Sequence, residues 1–233
     1  MRVPIPQWRL TRHCRSKQIP HVLWVQDAYG LATYKILSRR IPVIGHAVGK
    51  YFIMLDRRNA QLSDSIIVIT EDFLPMLESW GVDSSRCHVI HNWPVLNDLP
   101  VRPRENDWSK SNCRRSGMRF IYSGTLAMKH NPRLLLELAR LLDSHQDAEL
   151  IVISEGAGVE WLQREATAAN LRSLTCLPYQ PFEQLADVLG SADVLVVILE
   201  ADAGSFSVPS KVLSYMCAGR AILGAMPREN LAA

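Results

Sequence analysis

A hydroxyl-rich stretch leading to a lysine, residues 203–224, has the residue types of an anion-binding loop. It follows the apolar run Val194–Leu199, which predicts a buried strand, and it leads into a short helix beginning at Pro209 or Ser210. Free N–H groups and the dipole at a helix start attract anions. Lys211 lies in the first turn, where a cation is unfavourable unless an anion lies nearby. The stretch predicts an anion site; the alternative is an ordinary loop with a solvated lysine.

Four loops, each following a predicted strand, should meet at one edge of a parallel sheet. Open α/β sheets bind ligands at that carboxyl edge. The loops supply hydroxyls, glycines, helix starts and the cations Lys129 and Lys211, which are the groups that bind a diphosphate. Tyr179 and Gln180 would suit a nucleobase edge, and a plain surface turn is the alternative. The loops are residues 124–131, 154–158, 177–181 and 200–210.

The elements that must position these loops alternate between strands and helices, which predicts layered α/β units with parallel sheets. We predict a partial first domain over residues 1–98 and a second domain over 118–233, running β-α-β-α-β-α-β-α-β. The segment 99–117 between them is polar, holds two prolines and shows neither period, so we interpret it as a linker. The strands expected in the first domain are His21–Gln26, Ser65–Thr70 and Cys87–Asn92.

Composition sets bounds on function. The 233 residues are 48% hydrophobic and 21% charged, which suits a globular protein with a sizeable core. A net charge of +3 gives no argument for nucleic acid, and none is expected as a partner. Five dispersed cysteines argue against a disulfide framework and favour a reducing cytoplasm. Cys87, His88 and His91 lie on a predicted strand, where neighbouring side chains point to opposite faces, so no metal site is expected.

The amino-terminal residues 1–26 contain five lysines and arginines and no acid. They could form a solvated basic terminus, or they could contact an acidic substrate or the anionic inner face of the plasma membrane. No apolar run approaches the roughly 20 residues of a membrane span, and no apolar core of a secretory signal follows the basic residues. We therefore expect a cytoplasmic protein, and we keep peripheral contact with the membrane as a hypothesis.

Several enzyme signatures are missing from the sequence. It has no phosphate loop of the Gly-x4-Gly-Lys-Ser/Thr type, no Gly-x-Ser-x-Gly nucleophile elbow and no Asp-x-Asp pair. Gly156 and Gly158 follow a strand and open a helix, but Trp161 stands where a dinucleotide fingerprint has its third glycine. These loops therefore favour a bound diphosphate over a nucleophilic or dinucleotide-dependent reaction.

The order of segments resembles the retaining glycosyltransferases of family four, which have the GT-B architecture of two Rossmann-like domains. The bacterial branch that builds exopolysaccharide, O-antigen or colanic-acid-type units is the most similar. The resemblance covers most of residues 21–230. The segments that carry it are VQDAYG, DSIIVITEDFLPMLESWGV, CHVIHNWP, FIYSGTLAMKHNP, LIVISEGAG, LPYQPFEQLADVLGSADVLVVILE and FSVPSKVLSYMCAGRAIL.

The resemblance implies a role for each site residue. Asp27 would face the acceptor and the transferred sugar, while Lys129 and Lys211 would stabilise the diphosphate of a UDP- or GDP-sugar donor. Ser210 would help Lys211 hold the distal phosphate, and no metal or cofactor is implied. The residues expected to bind substrate are Gly124, Thr125, His130, Ser154, Glu155, Gly156, Tyr179, Gln180, Ser207, Ser210 and Ser214.

The sequence departs from the family pattern in three ways. Phe206 and Ser214 occupy the positions of two glutamates found in much of the family, so the usual ribose-binding carboxylate is missing. Thr125 replaces an arginine that is common after the glycine of the diphosphate loop. Only 26 residues precede Asp27, and the chain stops soon after residue 225, so the resemblance implies a chain that is truncated at both ends.

Three functions remain open at this point. The first is a glycosyltransferase that moves a sugar, with retention, from a nucleotide-diphosphate-sugar to a lipid-linked saccharide in cell-surface polysaccharide synthesis. The second is a GT-B epimerase, which shares the diphosphate site and needs no acceptor. The third is a non-catalytic remnant that binds nucleotide sugars.

Overall fold

The computed structural model describes residues 4–94, 99–145, 147–199, 210–228 and 230. The chain divides into two compact units, with the boundary between Asn92 and Trp93. Both units contain parallel sheets, which confirms the α/β class. None of the described helices combines the length and the hydropathy needed to cross a bilayer.

The first unit is built on a three-stranded parallel sheet in the order β1-β2-β3. The amino-terminal helix was not predicted, because basic residues dominate it. The long third helix begins at Pro42, because a proline fits the first position of a helix. The elements are α1 (Pro4–Ser16), β1 (Val22–Val25), α2 (Tyr29–Arg40), α3 (Pro42–Leu62), β2 (Ser65–Val68), α4 (Leu74–Ser79) and β3 (Cys87–Val89), with short 3-10 turns at Glu71–Phe73 and Ser84–Arg86.

The second unit has a five-stranded parallel sheet in the order β6-β5-β4-β7-β8. From its first strand onward the predicted alternation of strands and helices is confirmed. The elements are α5 (Asp107–Asn112), β4 (Arg119–Ser123), α6 (Arg133–Asp143), β5 (Glu149–Ile153), α7 (Ala157–Ala168), β6 (Leu174–Leu177), α8 (Leu185–Gly190), β7 (Val194–Ile198), α9 (Lys211–Cys217) and β8 (Ala221–Ala225), with 3-10 turns at Met128–His130 and Phe182–Gln184.

Helices cover both faces of the central strands of this second sheet, whereas all five residues of the edge strand β8 are exposed. Leu150 and Val152 of β5 pack in one apolar cluster with α6 and α7, while Ile151 and Ile153 pack in the other with α8 and α9. Alternate side chains of a strand point to opposite faces, so each face acquires its own core. The rigid sheet holds the loops at its carboxyl edge in place.

Residues 99–117, interpreted as a linker, lie in the second unit and include α5. Asn106 caps α5 through reciprocal hydrogen bonds with Ser109. Trp108 is buried in the cluster that contains Ile121. The polar composition of the segment hides this packing, because a single tryptophan supplies most of its apolar surface.

Candidate functional site

The strand order creates a topological switch point between β4 and β7. These strands are neighbours in the sheet although β5 and β6 lie between them in the chain. Ligands of open α/β sheets bind where the strand order reverses, outside the carboxyl ends. Gly124 directly follows β4, and Lys211 begins the helix after β7. Gly124 and Lys211 therefore both lie at the switch point, whereas residues 200–209 of the fourth predicted loop lie outside the described part of the chain.

Gly124 and Lys211 lie against each other. The φ angle of Gly124 is +130°, in the region that favours glycine. A Cβ atom at this position would lie 3.3 Å from Nζ of Lys211 and 3.4 Å from its Cε. Both the backbone and the adjoining lysine therefore favour glycine here.

The ammonium of Lys211 lies over an aromatic ring. Its Nζ is 3.9 Å from the centroid of the Tyr122 ring, the geometry of a cation–π contact. Burial lowers the pKa of Lys211 from 10.5 to about 8. Within the described part of the chain no carboxylate pairs with this ammonium, and desolvation alone accounts for the shift. A bound anion would stabilise the charged form of Lys211, which burial disfavours.

Two buried tyrosines hold the backbone that follows β4. The hydroxyl of Tyr122 donates to the carbonyl oxygen of Thr125 at 2.7 Å. The hydroxyl of Tyr215 donates to the Ser123 carbonyl at 3.0 Å and accepts from the Ser123 amide at 2.9 Å. Burial raises the pKa of both hydroxyls, so they stay protonated as donors. These bonds fix the chain on either side of Gly124.

Thr125, Glu155 and Tyr179 come from three of the four predicted loops and meet at the same edge. The Tyr179 hydroxyl donates to Oγ1 of Thr125 at 3.4 Å. The Tyr179 amide donates to Oε1 of Glu155 at 3.2 Å. All three side chains are exposed, so the pair of hydroxyls and the carboxylate remain accessible to a polar ligand.

Ser154 supports the loop after β4 through a buried hydrogen bond. It is 2% exposed, and its Oγ accepts the Leu126 amide at 3.0 Å. Gly158 in the first turn of α7 lets that loop approach, because a Cβ there would lie 2.0 Å from the Leu126 carbonyl oxygen. Gly156 precedes α7 with a φ of +97° and is exposed. The hydroxyl of Ser154 is thus engaged inside the protein, whereas Gly156 borders solvent.

Gln180 has internal partners at both ends of its amide. Its Oε1 accepts the indole N–H of Trp108 at 3.0 Å, and its Nε2 donates to the Pro178 carbonyl at 2.9 Å. The amide holds the loop after β6 on the buried tryptophan. Recognition of a base edge, expected for Gln180, would need these bonds to exchange.

The loop after β4 ends in a 3-10 turn that carries two predicted residues. Nδ1 of His130 accepts the Ala127 amide at 3.0 Å, which ties the imidazole to its own loop. Lys129 lies in the same turn, and its side chain is outside what the structure describes. Asn131 then adopts a φ of +51° and leads into α6.

The other predicted residues are less closely gathered. Ser210 precedes α9 and is exposed, whereas Ser214 is half-buried within α9. Asp27 lies after β1 in the first unit and is half-buried. Ser207, with Phe206, lies outside the described residues.

Sequence reasoning missed the residues that hold the site together: Tyr122, Tyr215, Trp108 and the packing role of Gly158. A signal existed for Tyr215, because it occurs at i, i+3 and i+6 with Val212 and Ala218, and these three form the buried face of α9. Met216, four residues after Val212, is exposed, so the buried face follows the three-residue spacing. Among the described residues no group of His, Cys, Asp and Glu could hold a metal ion.

A family model described as glycosyl transferases group 1 matches residues 104–225, the part of the chain that contains this edge. That match spans more than half of the 233 residues. A sequence search of the curated proteins finds no match to the chain.

Solved structures resemble the whole chain in fold. HepE of Anabaena in complex with UDP and glucose superposes with a TM-score of 0.69 at 12% identity, over 95% of this chain and 56% of that one. A glycosyltransferase of Rickettsia africae gives a TM-score of 0.59 at 12% identity, over 95% and 62%. The lipopolysaccharide outer core galactosyltransferase WaaB gives 0.53 at 15% identity, over 94% and 59%. The chain thus spans less than two thirds of these proteins, and the likeness shows a GT-B-like fold.

Proposed function

The chain belongs to the glycosyl transferases group 1 family, and from this premise we propose that it transfers a sugar from a nucleotide-diphosphate-sugar to a saccharide acceptor. The observation that carries the proposal is the half-buried Lys211 ammonium beside Gly124, which has an aromatic ring but no described carboxylate as its partner. HepE, similar in fold, has been crystallised with UDP and with UDP-glucose, which supports a UDP-sugar donor over a GDP-sugar.

In this proposal Lys211 holds the distal phosphate of the donor. Breaking the bond between sugar and phosphate leaves negative charge on the diphosphate, and a preorganised cation stabilises that charge more than it stabilises the intact donor. Gly124 lets the Lys211 ammonium lie close to the backbone after β4, where a larger residue would crowd it. Lys129 and Ser210 would add a second cation and a hydroxyl.

The rest of the donor and the acceptor would use residues around this point. The exposed ring of Tyr179 offers a stacking surface for the base, and Glu155 and Thr125 offer hydrogen-bond partners for hydroxyl groups. Asp27 would face the acceptor, and transfer would retain the anomeric configuration, as the family resemblance implies. The likeness to WaaB supports a lipid-linked saccharide as the acceptor.

Substitution of Lys211 tests the proposal. We expect Lys211→Ala to lower nucleotide release from UDP-glucose by about 10²–10³-fold, measured with a membrane lipid extract as the source of acceptor. Lys211→Arg should restore part of the rate. Lys110→Ala is the matched control, because among the described residues this exposed lysine of the same unit pairs only with its helix neighbour Asp107.

An unchanged rate in Lys211→Ala would refute the phosphate role of Lys211. Product analysis with UDP-glucose alone separates the alternatives. A free epimer would identify an epimerase, and binding of UDP by calorimetry without turnover in any mixture would identify a non-catalytic binding protein.

A further inference from the structure

The corner where α2 ends and α3 begins exposes an apolar cluster. Val43 is 84% exposed, Ile44 is 64% exposed, and Ile41 is 51% exposed. Large aliphatic side chains exposed singly are ordinary, but consecutive ones on a rigid element mark an interaction surface. We name Ile41, Pro42, Val43 and Ile44 the apolar corner.

The apolar corner is rigid, so its side chains cannot turn inward. The Ile41 amide donates to the Leu37 carbonyl at 2.9 Å, which ends α2. Gly45 packs so closely on α2 that a Cβ would lie 2.1 Å from the same carbonyl oxygen, and a Cβ on Gly49 would lie 2.6 Å from Cα of Tyr34. The small-residue face of α3 is therefore used against α2, and the apolar corner faces outward.

The charges around the apolar corner have one sign. Residues 28–55 contain four lysines and arginines and no aspartate or glutamate. Arg39 and Arg40 immediately precede Ile41 in the chain. Lys50 and Tyr51 follow Val43 and Ile44 by seven residues, which places them on the same side of α3, and both are exposed. An apolar tip with a basic and aromatic border matches the chemistry of a lipid headgroup region.

We infer that the apolar corner docks this protein on an anionic lipid bilayer, with Val43 and Ile44 inserted among the headgroups and Lys50 paired with lipid phosphates. A protein partner with an acidic rim is the competing occupant. The absence of any acid in residues 28–55 favours the lipid surface, because a bilayer attracts every lysine and arginine without needing a matched geometry. The inference is compatible with a lipid-linked acceptor but does not depend on sugar transfer.

Vesicle co-sedimentation of the whole chain tests the inference without donor or acceptor, so it can fail independently of the proposed function. We expect binding to mixed phosphatidylcholine and phosphatidylglycerol vesicles and little binding to phosphatidylcholine alone. The double variant Val43→Asp and Ile44→Asp should weaken partitioning by at least about tenfold. Lys50→Gln should weaken it by about fivefold, and high salt should act in the same direction.

Leu141→Asp is the matched control, because Leu141 is 69% exposed on α6 of the second unit, and it should bind vesicles like the wild type. Circular dichroism must show that the double variant is folded, and UDP binding by calorimetry should be unchanged in it. Equal sedimentation of the double variant and wild type would overturn the inference. The inference would also be overturned if the wild type failed to sediment with vesicles but self-associated in solution, and if the double variant abolished that self-association.

Discussion

The two sheets of this protein differ in how many of their faces are covered. In the second unit every residue of β5 is buried, because helices pack on both faces of the sheet. In the first unit β1 alternates: Leu23 is 6% exposed, whereas Trp24 is 48% exposed. Parallel sheets are normally covered on both faces. Alternation in a parallel strand therefore marks a sheet with one open face among the described elements.

This difference separates the two tasks of the molecule. The second sheet carries its own two-sided core and holds the Lys211 edge, so that edge is preorganised. The first sheet continues its open face from Trp24 through Ile67 to His88, which are register partners across the three strands. The first unit also carries the apolar corner, at the junction of α2 and α3. The first unit thus exposes apolar surface, whereas the second unit holds the Lys211 edge on a packed scaffold.

Truncation of one matched isoleucine in each sheet should give the largest difference in the free energy of unfolding. Ile151 of β5 is fully buried, whereas Ile67 of β2 is only partly buried on the open face. We expect Ile151→Ala to lower the free energy of unfolding by about 2–5 kcal/mol, and Ile67→Ala to cost roughly half of that or less. Urea denaturation followed by circular dichroism measures both. Equal losses would mean that the open face is covered in solution.

The sequence predicted the second sheet well because its strands are continuous apolar runs, which only a doubly covered strand tolerates. Residues 150–153 and 194–198 are such runs. It also gathered Gly124, Tyr179 and Lys211 at one edge, since parallel strands share their carboxyl ends. That step needs only the order of elements along the chain.

What the sequence could not give are contacts between residues far apart in the chain. The bonds from Tyr215 to Ser123 and from Trp108 to Gln180 depend on which helix packs on which face. A six-residue helix such as α5 is too short to show a period, although its Asn106–Ser109 cap was a readable signal. The ring beneath Lys211 follows from strand register and cannot be inferred from spacing.

The preorganised edge predicts a pH dependence of donor affinity. Lys211 loses its proton near pH 8 in the free protein, and a bound diphosphate would favour the charged form. UDP affinity should be level between about pH 7 and pH 8, and above pH 8 it should fall by up to about tenfold per unit of pH until the lysine in the complex also loses its proton. Calorimetry across this range measures the effect. In Lys211→Arg the affinity should stay level, because a guanidinium remains charged; a level profile in the wild type would show that Lys211 is not the phosphate partner.

Asp56 of α3 is the corresponding buried ionisable group of the first unit. Burial raises its pKa from 3.8 to about 6, although the Gly30 amide donates to its Oδ2 at 2.7 Å. A folded-state pKa above the unfolded value gives stability that is present below pH 3.8 and lost as the pH rises through 6. At neutral pH the carboxylate therefore lowers the stability of the first unit.

Asp56→Asn should give the smallest change in the free energy of unfolding. Unlike most substitutions of buried residues, it should stabilise the protein. The amide oxygen can still accept from Gly30, and no charge is buried, so we expect the free energy of unfolding at neutral pH to rise by up to about 1 kcal/mol. The gain should vanish as the pH approaches 3.8. Asp83→Asn is the control, because the bond from the Ser85 amide favours the charged carboxylate and lowers the pKa of Asp83, so removal of that charge should destabilise the protein at neutral pH. If Asp56→Asn destabilises the protein at every pH, the carboxylate itself is required to hold the start of α2, and the first unit is as preorganised as the second.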